Sequence, residues 1–120
     1  MSFTVHELVI PGRVTPKARP RFDPRSGRAY TDKRYRDWLD MAADTVAYTL
    51  RKPGLDGPLL LRCALTPDGV EVALLPCSPV QWTGRRPDLD NAIGAVMDAL
   101  EQGGAVENDR HIVRIEGWFV

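Results

Sequence analysis

Three acidic residues raise the first chemical question. Asp88 and Asp90 flank Leu89 in "RRPDLDNAIGAVMDAL" (residues 85–100), where two arginines and a proline lead straight into an apolar-striped helix. Asp88 follows Pro87 at or near the N-cap, where a carboxylate can accept backbone N–H bonds. Asp90 falls in the first turn, where the helix dipole favours an anion. Capping is a sufficient account of either acid, but it leaves Asp109 unexplained. A helix from Asp90 to Gln102 climbs about 18 Å, and residues 103–109 can span up to roughly 23 Å if extended. A reversal at Gly103-Gly104 could therefore return Asp109 beside the start of the helix it has just left. Three carboxylates would then meet from one short segment. Oxygen-only ligands of this kind suit Mg²⁺ or Mn²⁺, and the chemistry they support is metal-assisted phosphodiester hydrolysis. A calcium EF-hand fits poorly: the helix starts too soon after Asp88, the loop glycine is missing, and the twelfth position is Ala99 rather than Glu. No P-loop, GxGxxG or Ser/Cys nucleophile motif is present.

A second group of residues could hold a polyanion. From Arg13 to Arg36 there are nine bases, opposed only by Asp23 and Asp32. Lys17, Arg19 and Arg21 alternate with Ala18 and Pro20, so in an extended chain all three point to one side, spaced roughly 6.6 Å apart. The plain alternative is a solvated edge strand protected by charge and proline. Lys33, Arg34 and Arg36 add to the group from the first turns of a helix, where the dipole disfavours cations. From Arg85 to Arg110 the balance reverses, with six acids against three arginines. Basic and acidic segments could neutralise each other, or could hold a polyanion and the metal that cuts it.

The elements that must position these residues follow from the pattern. Phe3 to Ile10 reads as a strand stopped by Pro11-Gly12. Residues 13–22 are extended, because Pro16 and Pro20 forbid a helix interior. "DPRSGRAY" is a turn with a short return strand. Thr31 suits an N-cap, and a helix follows from about Asp32 to Leu50 with Tyr35, Trp38, Leu39, Ala42, Val46, Thr49 and Leu50 on one face. Leu59–Thr66 and Val70–Leu75 are strands joined by the turn at Pro67-Asp68-Gly69. Residues 76–87 form a loop, Leu89 to about Gln102 a second helix with Leu89, Ala92, Ile93, Val96 and Leu100 inward, and Ile112–Val120 a last strand after a turn at 107–109. This order predicts an α+β fold, a mixed sheet with both helices packed on it, in a single domain over residues 1–120.

Composition sets the outer limits. Hydrophobic residues are 43% and charged residues 27% of the 120, with a formal net charge of zero, a globular balance. No apolar run approaches the roughly 20 residues of a membrane span. The opening residues lack the basic and apolar runs of a secretion signal, so the expected compartment is the cytoplasm. Cys63 and Cys77, 14 apart, match no zinc spacing and are expected to be free, half-buried thiols. His6 and His111 sit in no ligand motif.

Residues 85–115, "RRPDLDNAIGAVMDALEQGGAVENDRHIVRI", resemble the signature of the RusA-type Holliday-junction resolvases: Asp-x-Asp-Asn at a helix start, "DAL" later in the helix, a glycine break, and an acidic turn. "PGRVTPKARPRF" followed by "GRAYTDKRYRDW" is similar to the family's opening strand, basic loop and first helix, so the likeness covers nearly the whole chain in order. It implies a RusA-like α+β fold and a homodimer that cuts four-way DNA junctions by paired, Mg²⁺-dependent nicks, two equivalent sites suiting two equivalent strands. The family's catalytic, metal-binding acids carry over to Asp88, Asp90 and Asp109, and its asparagine to Asn91. On this reading Arg85 and Arg86 flank the scissile phosphate, while Lys17, Arg19, Arg21, Lys33 and Arg34 track the DNA backbone without reading sequence.

One position departs from the family pattern. Where a lysine usually stands, four residues after the second aspartate, this chain has Gly94. Either Arg85, Arg86 or a base from residues 17–36 supplies the missing charge, or the enzyme is weak, or the protein binds junctions without cutting them. The alternative outside the family is a small protein-interaction domain whose basic and acidic segments satisfy each other. Trp82, in the loop before the second helix, either packs as a buried aromatic or stacks on a splayed base.

Overall fold

Leu8 and Ile10 are two apart on a strand and so face the same side of a sheet. In a computed structural model, which describes residues 5–17, 21–30, 32–51, 54–55 and 57–120, these two side chains join Val70 and Ala42 as the buried core of the first part of the chain. The strand is β1 (His6–Pro11). Two short strands, β2 (Arg21–Phe22) and β3 (Ala29–Tyr30), pair antiparallel across the "DPRSG" turn. The first helix, α1 (Lys33–Leu50), is followed by β4 (Leu59–Thr66) and β5 (Gly69–Pro76). After a long loop comes α2 (Leu89–Gln102), then a single 3₁₀ turn at Asp109–His111.

The class is α+β, as the pattern predicts, and β4, β5 and α2 keep their expected places. The main sheet has the order β1-β5-β4 and is antiparallel throughout. The expected mixed sheet is therefore not found among the described residues, and the expected strand at Ile112–Val120 has no strand pairing. Residues there are apolar enough for a strand, but a strand exists only by its ladder, and Val113 and Trp118 stand 93% and 73% exposed. The chain divides into two compact units, Met1–Ser78 and Pro79–Val120.

In the first unit α1 packs on β1. Ala42 faces the sheet, with Trp38, Met41 and Leu50 beside it. Leu39 and Val46, expected on that face, point away and are exposed. The small side chain of Ala42 lets the helix backbone approach Leu8 and Ile10 closely. Full burial of a Leu, Ile or Val contributes about 1.5–3 kcal/mol. The N-cap of α1 is Asp32, whose carboxylate accepts from Arg34 N–H at 3.0 Å; Thr31, proposed for that place, lies outside the described residues. Arg51 ends the helix in a left-handed conformation at φ 56° and donates its N–H to Ala47 O at 3.0 Å.

The β4–β5 hairpin closes on Thr66. Its hydroxyl donates to Gly69 O at 3.0 Å and accepts from Gly69 N–H at 3.1 Å. Gly69 also lies against β1, where a Cβ would stand 2.8 Å from the Ile10 carbonyl oxygen. Gly69→Ala should therefore push β1 and β5 apart and cost about 1–3 kcal/mol. A fall in the denaturation midpoint with unchanged slope would report this, and an unchanged midpoint would contradict the close approach. All eight residues of β4 are exposed at the sheet edge, Cys63 among them. Both cysteines are free, as expected, but exposed rather than half-buried.

Candidate active site

The mouth of α2 has the expected sequence position and an unexpected geometry. Asp88 is its N-cap, with φ −68° and ψ 137°. Its backbone carbonyl accepts the first helical bond, from Ala92 N–H at 3.0 Å. Its carboxylate makes no capping hydrogen bond. The capping explanation for Asp88 therefore does not apply to its side chain, which is left to interact with something else. Asp90 follows in the first turn, and Asn91 one residue later. All three are exposed. None of their side chains forms an ion pair or side-chain hydrogen bond among the described residues.

The chain then turns back as the two glycines suggest. Gly103 N–H donates to Ala99 O at 2.9 Å, and Ala105 N–H to Leu100 O at the same distance. Gly104 takes φ +81°, a conformation that favours glycine. Asn108 caps the following 3₁₀ turn, its side chain accepting from Arg110 N–H at 2.9 Å. Asp109 is the first residue of that turn, which packs against α2. The tail continues back along the helix: a Cβ on Gly117 would stand 2.7 Å from Ile93 Cδ1. A larger residue at 117 would have to displace Ile93, five residues from the Asp88 cap.

The return path is thus present, while the three-carboxylate meeting is not. No group of three His, Cys, Asp or Glu among the described residues stands close enough to hold a metal ion. Three carboxylates repel each other, and a fold gains by drawing them together only around a cation. The donor chemistry itself fits a hard divalent ion: all-oxygen, exposed, and without competing side-chain partners among the described residues.

The basic residues have varied surroundings. Arg85 and Arg86 are exposed just before the acids. The Arg86 guanidinium carbon lies 5.0 Å from the centre of the Phe119 ring. Phe119 also meets Trp82 edge-on, at 5.5 Å between centroids and 73° between planes. Sequence reasoning missed Phe119, because it assigned residues 112–120 to a strand and nothing in their spacing links them to Arg86. Trp82 is 49% exposed, so it is not the buried aromatic of the simpler reading. Gly94, where the lysine was expected, has no atom within 4 Å of a would-be Cβ.

In the first unit, Lys33 and Arg34 open α1 against its dipole, and no acid lies in that first turn. Each has found a local partner. Lys33 Nζ is 3.0 Å from Asp37, and Arg34 Nη2 is 3.9 Å from Asp32. Both basic side chains remain more than four-fifths exposed. Such surface pairs contribute about 0–1 kcal/mol, so a phosphate can displace either acid. Lys17 is exposed. Arg21 opens β2, and Arg19 lies outside the described residues, so the proposed stripe of three is not described as a whole.

No helix among the described residues is long and apolar enough to cross a membrane. A family model described as endodeoxyribonuclease RusA matches residues 11–120. No curated protein and no solved structure matches the chain.

Proposed function

This chain belongs to the RusA endodeoxyribonuclease family, and from that premise we propose that it resolves four-way DNA junctions by metal-dependent hydrolysis of two phosphodiester bonds. The observation that carries the chemistry is Asp88. It occupies a helix N-cap, yet its carboxylate makes no capping bond. Asp88, Asp90 and Asp109 are the residues to hold Mg²⁺, or Mn²⁺ in its place. When bound, the ion supplies charge to neutralise the phosphate and to activate the attacking water. Asn91, beside Asp90 and exposed, is the supporting polar residue of this site. Arg85 and Arg86 bind the phosphate being cut, and Lys17, Arg19, Arg21, Lys33 and Arg34 hold the flanking backbone. Each cut adds one water across a P–O bond. Two cuts on a symmetric substrate call for two sites, hence a homodimer. Two unpaired cysteines suit a reducing compartment such as the cytoplasm.

A second reading, favoured by Gly94, is a junction-binding protein that cuts slowly or not at all. The open space at Gly94 leaves room for a lysine side chain that this chain does not supply there. One assay separates the two. A synthetic four-way junction is incubated with the protein in Mg²⁺, in Mn²⁺ and in chelator. Paired nicks with metal and none with chelator are expected. Binding without nicks in either metal, with nicking gained by Gly94→Lys, would establish the second reading. Neither binding nor nicking would defeat both and leave the protein-interaction domain.

A further inference from the structure

Tryptophan presents a large apolar face with a polar N–H, which suits it to surfaces that meet a partner. Trp82 sits in the loop before α2 and is 49% exposed. Its one aromatic neighbour among the described residues is Phe119, met edge-on at 5.5 Å and 73°. In that arrangement at least one face of the indole stays clear of Phe119. The other side of the cluster is Arg86, over the Phe119 ring at 5.0 Å. Cation–π contact of this kind fixes a guanidinium plane while leaving its N–H groups able to reach an anion. Arg86 and Trp82 lie two and six residues before Asp88. An aromatic face, a planar cation and three carboxylates thus come from one compact unit.

We infer that Trp82, Arg86 and Phe119 form a stacking platform for one unpaired base of branched DNA, with Trp82 as the surface the base lies on. Aromatic and guanidinium planes are the groups on which splayed bases stack, and every base has a face to offer. Arg86 adds a charge for the adjoining phosphate. Phe119 positions both without needing to touch DNA. An apolar protein partner suits the place less well. It would have to bury Arg85 and Arg86, neither of which has an acidic partner among the described residues. The platform would give the enzyme a way to favour a branch point, where bases lose their stacking neighbours, over continuous duplex. This inference rests on the branched-DNA reading, and its test keeps the two apart.

The test uses three DNAs in chelator, so that nothing is cut: a four-way junction with 2-aminopurine at the branch, a duplex of the same arm sequence, and a single-stranded oligonucleotide with 2-aminopurine. Trp82→Ala should weaken junction and single-strand binding about tenfold and leave duplex binding within twofold. Trp82→Phe should keep most of the affinity. Wild-type protein should quench 2-aminopurine on binding, and Trp82→Ala should not. Equal losses on junction and duplex would overturn the platform, as would unchanged single-strand and junction binding. So would a changed oligomeric state for a folded Trp82→Ala, which would assign the cluster to a protein interface. A wild-type protein that ignores the branch but still quenches the single strand would defeat the junction reading and leave the platform standing.

Discussion

Asp90→Asn should abolish cutting of a four-way junction in Mg²⁺ while leaving binding nearly intact. Asparagine keeps the shape of the side chain and removes its charge. A metal's stabilisation of a phosphoryl transition state is worth several kcal/mol, and each 1.36 kcal/mol is tenfold in rate. Loss of a charged ligand should therefore slow nicking by about 10³-fold or more. Binding should change little, or tighten slightly, because an anion near the DNA backbone has been removed. The fold has little stake in this residue, which is exposed and makes no side-chain bond among the described residues. Its only local role is the favourable first-turn charge. Single-turnover nicking and gel-shift binding on the same preparation measure both effects. A mutant that cuts at the wild-type rate sinks the assignment of Asp90, and with it the metal site.

The second large effect is expected from salt. If the seven candidate bases (Lys17, Arg19, Arg21, Lys33, Arg34, Arg85 and Arg86) each neutralise a phosphate, log K should fall against log salt with a slope of about −6. Affinity should then drop by more than about 10³-fold between 50 and 200 mM salt. The pairs Lys33–Asp37 and Arg34–Asp32 do not prevent this, because exposed ion pairs are weak and yield to a stronger anion. Replacing Lys33 and Arg34 together by glutamine should lower the slope by about two and weaken all DNA sequences alike. A slope near zero would mean that the basic segment has no phosphate partners, which is the prediction of the protein-interaction reading.

How far the sequence discloses this protein depends on the range of the forces involved. The bounds of α2, Leu89 to Gln102, are legible because their signals are local: a proline and an aspartate before the helix, and two glycines after it. Its expected inward face is not, since Leu89, Val96 and Leu100 are exposed. The β4–β5 hairpin is legible from local signals too. Residues 112–120 mislead, because a strand depends on a partner that periodicity cannot name. The outer face of α1 misleads for a related reason. Leu39 and Val46 fit an amphipathic stripe, yet the contact with β1 is narrow and centres on Ala42.

The site divides in the same way. The reversal after α2 follows from its two glycines, whereas the meeting of Asp88, Asp90 and Asp109 expected from helix rise and chain length is not found among the described residues. The state of the Asp88 carboxylate does not follow from the sequence, since an uncapped N-cap and a capped one have the same sequence. Nor does the meeting of Arg86, Trp82 and Phe119, whose members are up to 37 residues apart.

The glycine reversal after α2 has a hereditary consequence. It leaves all three acids, the two arginines and the aromatic cluster in one compact unit, Pro79–Val120. A loop of about twenty residues closes at a lower entropy cost than a longer one, and the turn packs against the helix. A genetic exchange whose joints fall outside residues 79–120 would move the proposed acids, the two arginines and the aromatic cluster as one inherited block. The basic segment of residues 13–36, proposed to hold the DNA backbone, could then diverge separately.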